Sequence, residues 1–173
     1  GKLERQIETP LGLFSSPVFS PDGAIAVGIN KERGLVIGEA GIAANWFQRD
    51  AAMPLELNNK AYHRIAPKAW ISASPFVADV LGNGKQQFGV ADEAGHFYLA
   101  DTEGKLIFET ILPSAVEAPI FVGDIDGDGK LEMLVAGLDG YLYCYGTNSK
   151  GNVYWGQFRG NNSNTAVIRH NWW

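Results

Sequence analysis

The sequence predicts an all-β chain built from about three copies of a four-stranded antiparallel unit, and three observations carry that expectation. Glycine is abundant, 21 of 173 residues, and falls beside short runs of Val, Ile, Leu, Phe and Tyr. That is the pattern of many short strands joined by tight turns. A long stretch also recurs: Pro75-Phe-Val-Ala-Asp79-Val-Leu-Gly-Asn83-Gly84-Lys85-Gln-Gln87 lies against Pro119-Ile-Phe-Val-Gly-Asp124-Ile-Asp126-Gly-Asp128-Gly129-Lys130-Leu-Glu132. One offset, 45 residues, then carries Asp79 to Asp124, Gly84 to Gly129, Lys85 to Lys130 and Gly95 to Gly140.

The elements follow in order. Gly1-Lys-Leu-Glu-Arg-Gln-Ile-Glu-Thr9 echoes Gly104-Lys-Leu-Ile-Phe-Glu-Thr110, so residues 1–14 read as the last strand of a preceding unit whose other strands are missing. Residues 15–57 read as one unit: Ser16-Pro-Val-Phe-Ser-Pro-Asp-Gly23, Ala24–Ile29, Gly34–Gly38 and a closing run, Ala43-Ala-Asn-Trp46-Phe47. Its first loop is shortened. Residues 58–112 form the second unit, preceded by a rhythm-breaking insertion, Gln48 to Trp70, that is either a ligand-contact loop on one rim or a long surface connection. Residues 113–160 form the third, in which Gly151-Asn-Val-Tyr-Trp155 corresponds to the closing strand Gly104–Phe108. Residues 161–173 are a tail ending in Trp172 and Trp173, which either pack on a sheet face or contact a sugar or a neighbouring chain.

A repeat of 40–50 residues with four strands is the signature of a β-propeller blade. A two-sheet sandwich has a similar strand number but does not require loops and glycines to recur at one offset. Three blades plus one orphan strand make an odd set. Blade faces must be covered all the way round, so the chain is expected to be part of a larger propeller or to self-associate through its end blades.

Composition narrows the function. Hydrophobic residues at 46% and charged residues at 19% are ordinary for a folded chain. A net charge of −5 with no basic cluster gives no footing for nucleic acid. No apolar run approaches the roughly 20 residues of a membrane span. Gly1-Lys-Leu-Glu4 is not the start of a secretory leader, so either a leader has been removed or this is a piece excised from something longer, and the strand pattern favours the second. Cys144, the single cysteine, excludes an internal disulfide and reads as a buried or half-buried strand residue. His63, His96 and His170 have no metal-ligand spacing, and no Gly-x-Ser-x-Gly motif is present, so no catalytic residue and no organic cofactor site is assigned.

One loop carries chemistry. In Asp124-Ile-Asp126-Gly-Asp128-Gly129-Lys130-Leu-Glu132, carboxylates fall at positions one, three, five and nine, and Lys130 offers its backbone carbonyl at seven. Calcium takes six to eight oxygen ligands, and alternating positions of a short loop supply most of them. Asp-Gly turns are common in β-proteins, but four acids at odd positions with glycine at six exceed what a turn needs. Calcium at Asp124, Asp126, Asp128, Lys130 and Glu132 is therefore expected. The sister loop keeps Asp79 but has Leu81, Asn83 and Gln87 at the other positions, and is expected to hold the same turn without metal.

The run from Phe121 to Gly140 resembles the FG-GAP or VCBS repeat of integrin α-chain propellers and bacterial surface proteins. The second half of each blade, Gly140-Tyr-Leu-Tyr-Cys-Tyr through Gly151-Asn-Val-Tyr-Trp155, is similar to pyrroloquinoline-quinone-type propeller repeats. The first resemblance implies a calcium loop at the same five residues, with Glu132 where the family often has aspartate. Such repeats serve adhesion, carbohydrate binding, assembly and enzyme accessory roles alike. The expected function is a non-catalytic, extracytoplasmic binding or interaction module for a protein or carbohydrate ligand, with a structural calcium site. The alternatives are the propeller portion or accessory domain of a secreted enzyme, either a quinoprotein-like dehydrogenase or a polysaccharide-active enzyme, or a purely structural fragment.

Overall fold

The computed structural model describes residues 15–21, 24–29, 34–39, 63–65, 69–102, 105–157 and 160. The strand read in Gly1–Thr9, the closing run Ala43–Phe47, most of the 48–70 insertion and the tail with Trp172 and Trp173 lie outside the described residues. Twelve strands are found among them. The first sheet is β1 (Val18–Phe19), β2 (Ala24–Ile29), β3 (Gly34–Glu39) and β4 (His63–Ile65), in that order. The second runs from β5 (Phe76–Ala78) through β6 (Gln87–Ala91) and β7 (His96–Asp101) to β8 (Leu106–Ile111). The third is β9 (Phe121–Gly123), β10 (Glu132–Ala136) and β11 (Leu142–Gly146). Every pairing is antiparallel. No helix among the described residues is long and apolar enough to cross a membrane.

The 45-residue offset survives in three dimensions. It carries Phe76–Ala78 onto Phe121–Gly123 and Gln87–Ala91 onto Glu132–Ala136. The pairing Gly89↔Leu99 becomes Leu134↔Cys144. Gly84 and Gly129, the sixth residues of the sister loops, hold φ of 75° and 79°. That region is open to glycine at little cost and strains most other residues.

Stacking settles the choice between propeller and sandwich. In the second sheet Val77, Phe88, Val90, Tyr98 and Ala100 face the first sheet, packing with Val18 and Ala26. Their alternating neighbours Phe76, Ala78, Ala91, Phe97 and Leu99 face the third, packing with Ile120, Val122 and Val135. Each sheet of a sandwich turns one face to solvent. This sheet is buried on both, as a blade between two blades must be.

Two strands sit where sequence patterning did not place them. The fourth place in the first sheet belongs to β4, from the stretch read as an insertion, through the pairs Leu35↔Ile65 and Ile37↔His63. β12 (Val153–Trp155) does not close the third sheet beside β11. It pairs with the inner strand β5, Val153↔Ala78 and Trp155↔Val77, as a fifth strand of the second sheet. Glycine makes this approach possible: a Cβ on Gly151 would lie 2.2 Å from the Asp79 carbonyl oxygen. The same segment reaches the third sheet, where the Val122 amide donates to the Gly156 carbonyl at 2.7 Å. Residues 149–156 thus strap the inner strands of two blades together, and Trp155 is buried in the core between the first two sheets. β11 is paired on one side only among the described residues, by β10, and Cys144 is exposed rather than buried or half buried.

Close packing gives a test of the stack. A Cβ on Gly89 would stand 2.1 Å from Cζ of Phe76, a ring that is itself buried. Gly89→Ala is expected to lower unfolding stability by about 1–3 kcal/mol, the usual cost of overpacking. Urea denaturation measures it, and an unchanged midpoint would contradict the packing of Phe76 across this sheet.

Candidate metal centre

The Asp124 loop connects β9 to β10, so two paired strands fix its ends. Inside it, acidic side chains cap the turn's own amides. Asp124 accepts from the amides of Gly127 at 2.7 Å and Gly129 at 3.0 Å. Asp126 Oδ1 accepts from the Asp128 amide, and Asp128 Oδ1 from the Lys130 amide at 2.8 Å. Glu132 Oε2 reaches back to the Ile125 amide at 2.9 Å. One oxygen from each of Asp124, Asp126 and Asp128 lies within 4.8 Å of the others, at an exposed position. The Lys130 ammonium donates to Asp128 Oδ2 at 2.9 Å. That hydrogen bond, with the Lys130 amide, holds the Asp128 carboxyl below the usual aspartate range and pushes the Lys130 ammonium up.

The sister loop is an internal comparison. Asp79 accepts from the Gly84 amide at 2.8 Å, and Asn83 Oδ1 from the Lys85 amide at 2.9 Å, matching the Asp124–Gly129 and Asp128–Lys130 bonds. Gln87 stands in the place of Glu132, almost fully buried. Its Nε2 donates to the Lys85 carbonyl at 2.7 Å and to Asn83 Oδ1 at 3.3 Å. Those acceptors occupy positions seven and five, the places where the other loop carries the Lys130 carbonyl and Asp128. An amide N–H group therefore fills the centre of this loop. In the Asp124 loop the last residue is a carboxylate, which donates nothing when ionised, and the positive charge that reaches Asp128 comes from the exposed Lys130 ammonium and from Lys150.

The strap joins the two loops. Ser149 Oγ donates to the Asp79 carbonyl at 2.5 Å, while the Ser149 carbonyl accepts from the Leu131 amide at 2.8 Å. The Asp79 amide in turn donates to the Asn152 carbonyl.

Sequence reasoning missed the acids at the opposite turns. Asp92, wholly buried, accepts from the amides of Ala69, Ala94 and His96 and from the Tyr98 hydroxyl. His96 Nδ1 lies 3.4 Å from the same carboxylate, so this histidine is packed. At the equivalent turn Gly137 replaces Asp92, and Asp139 takes the role, accepting from the Tyr141 amide and the Tyr143 hydroxyl. Tyr98 and Tyr143 are 45 residues apart; the acid is not, so the offset concealed it.

The hydrogen bond that Tyr143 donates to Asp139 is readable by titration. The Asp139 carboxylate pushes the Tyr143 hydroxyl up from 10.0 to about 12, and the hydroxyl holds the Asp139 carboxyl below its usual range. A raised tyrosine value in the folded state means that this contact stabilises fully below pH 10 and fades as pH rises through about 12. Ultraviolet titration of Asp139→Asn should show one tyrosine ionising nearer its ordinary value. An unaltered curve would contradict the contact.

Fold and loop together define a segment of a β-propeller. The family model of the lambda-carrageenase β-propeller domain matches residues 79–169, more than half of the chain and including both sister loops. The chain belongs to that family. The solved structure of BamB from Moraxella catarrhalis is similar over 84% of this chain and 35% of that one, at 18% identity and a TM-score of 0.49. The chain thus spans about a third of that protein's length. No curated protein matches the chain.

Proposed function

We propose that the chain is a non-catalytic β-propeller module that works outside the cytoplasm, holds one calcium ion, and accompanies polysaccharide-cleaving chemistry supplied elsewhere. The observation that carries the calcium reading is the contrast between the sister loops: the same turn is centred on a glutamine amide in one and ringed by carboxylates in the other. The residues fit a hard cation, since oxygen donors from several side chains and one carbonyl suit calcium. Asp124, Asp126, Asp128, Glu132 and the Lys130 carbonyl would hold it, and the ion would replace the Lys130 ammonium at Asp128. This is the loop expected of an FG-GAP or VCBS repeat. The ion stiffens the β9–β10 connection and, through Leu131 and Ser149, the strap across the two inner strands.

The polysaccharide reading rests on the family, which takes its name from lambda-carrageenase. The expected ligand class is accordingly a carbohydrate, bound without being cleaved; a protein ligand is the second reading.

Calorimetric titration of metal-free protein with calcium tests the site. One ion per chain is expected, lost in Asp126→Ala and retained in Asp79→Asn. Two ions, or unchanged binding in Asp126→Ala, would refute the assignment. Calcium at about 100 times its dissociation constant should add about 2.7 kcal/mol to stability, because only the folded loop binds. Affinity electrophoresis in λ-carrageenan, paired with a reducing-end assay, tests the other half. Retardation without new reducing ends is expected; cleavage abolished by one substitution in this chain would overturn the non-catalytic reading.

A further inference from the structure

The Asp124 loop already holds a cation of its own. Both carboxylate oxygens of Asp128 are taken by Lys130: Oδ1 accepts from its backbone amide at 2.8 Å, and Oδ2 from its ammonium at 2.9 Å. The two side chains are about equally open to solvent, 41% and 42%. The ammonium also feels the negative charge of Asp126 and Glu132, so it stands close to three of the carboxylates of the turn. Lys150, next to Ser149 in the strap, adds its charge at the same Asp128. The sister loop shows that the turn forms without this ion pair. Lys85 stands 45 residues before Lys130, but Asn83 takes the place of Asp128, and a neutral amide gives an ammonium no counter-charge. There Asn83 Oδ1 is met by Gln87 Nε2 at 3.3 Å. Each loop thus carries its own donor, an amide where the turn has one carboxylate and an ammonium where it has four.

Resting on the calcium reading of this loop, we propose that the Lys130 ammonium is a tethered competitor of the ion, so that filling of the site follows the surrounding calcium and salt and is not permanent. The backbone and the side chain of Lys130 then act in opposite directions. Its carbonyl belongs to the donor set, while its ammonium must leave Asp128 Oδ2 before that oxygen can face a divalent ion. Carboxylates gathered in one turn repel one another, and a counter-charge fixed two residues away relieves that repulsion whenever the ion is gone. The empty loop keeps its shape meanwhile, through the Gly127 and Gly129 amides on Asp124. An exposed ion pair is weak and screened by salt, so the ammonium lowers the affinity for calcium without closing the site. That is the behaviour of a switch.

Lys130→Met keeps the carbonyl and nearly the length of the side chain, and removes the charge. Calorimetric titration with calcium chloride in dilute buffer should show binding about fivefold tighter in this variant, the upper range for an exposed ion pair, with the same single ion per chain. The gap should shrink in 1 M potassium chloride, where the screening length is about 3 Å. Lys130→Arg, which keeps the charge, should bind no more tightly than the unaltered chain, and Lys85→Met in the sister loop should change nothing. Circular dichroism checks that each variant is folded. Calcium binding in Lys130→Met equal to or weaker than in the unaltered chain would overturn the inference and leave the calcium site standing. No heat of binding from either chain, both being folded, would remove the calcium reading and the inference with it.

Discussion

The structure depends on the burial of its middle sheet from both sides. A sheet of short strands has two faces and no means of covering either by itself, so it is stable only as one layer of a stack. Here β5, β6 and β7 alternate side chains between two cores, and even their glycine is consumed by it: Gly89 is the gap into which the Phe76 ring fits. The strap of residues 149–156 answers the same demand at the inner edge, where β5 and β9 would otherwise present unpaired amides to the centre of the arc. What is open in this chain is open for the same reason. Among the described residues, the third sheet repeats the middle sheet's apolar face without a neighbour to bury it.

The two sister loops show how one turn is stabilised by different means. Both rest on a leading aspartate that accepts from the glycine amide five residues later. Both need that glycine in the left-handed region. They part at the last position. A buried glutamine can donate to the oxygens that converge on the loop, and so its loop is complete within the chain. An ionised glutamate can only accept, and its loop gathers the carboxylates of Asp124, Asp126 and Asp128 at an exposed position. The sister loops thus share a turn and differ at positions three, five and nine, where Leu81, Asn83 and Gln87 stand against Asp126, Asp128 and Glu132.

Much of this was legible in the residues. The offset of 45 located β5 to β7 and β9 to β11 with their connecting loops, because turn glycines and strand-starting residues answer to local backbone geometry. The closing strands were less legible, since their placement is decided by partners far away in the chain. Val153-Tyr-Trp155 has the composition of an outer strand, but which edge it joins depends on Gly151 lying flat against Asp79. His63-Arg-Ile65 lacks the aromatic that drew attention to Trp46, yet it holds the pairing with β3. Asp92 and Asp139 escaped because the same hydrogen-bonding task, anchoring the tyrosine of the next strand, is done from two different places in the turn. Local rules carry position; only packing carries partnership.

If stacking on both faces is what holds the fold, protection should follow it. Native-state hydrogen exchange resolved by residue reads this directly, because the slowest amides open only with the whole structure. The amides of Val77, Phe88, Val90, Tyr98 and Leu99 should be the slowest in the molecule. Those of β11, whose sheet is packed on one face among the described residues, should exchange faster. Equal protection in the second and third sheets, or faster exchange in the middle sheet than in β10 and β11, would contradict the account.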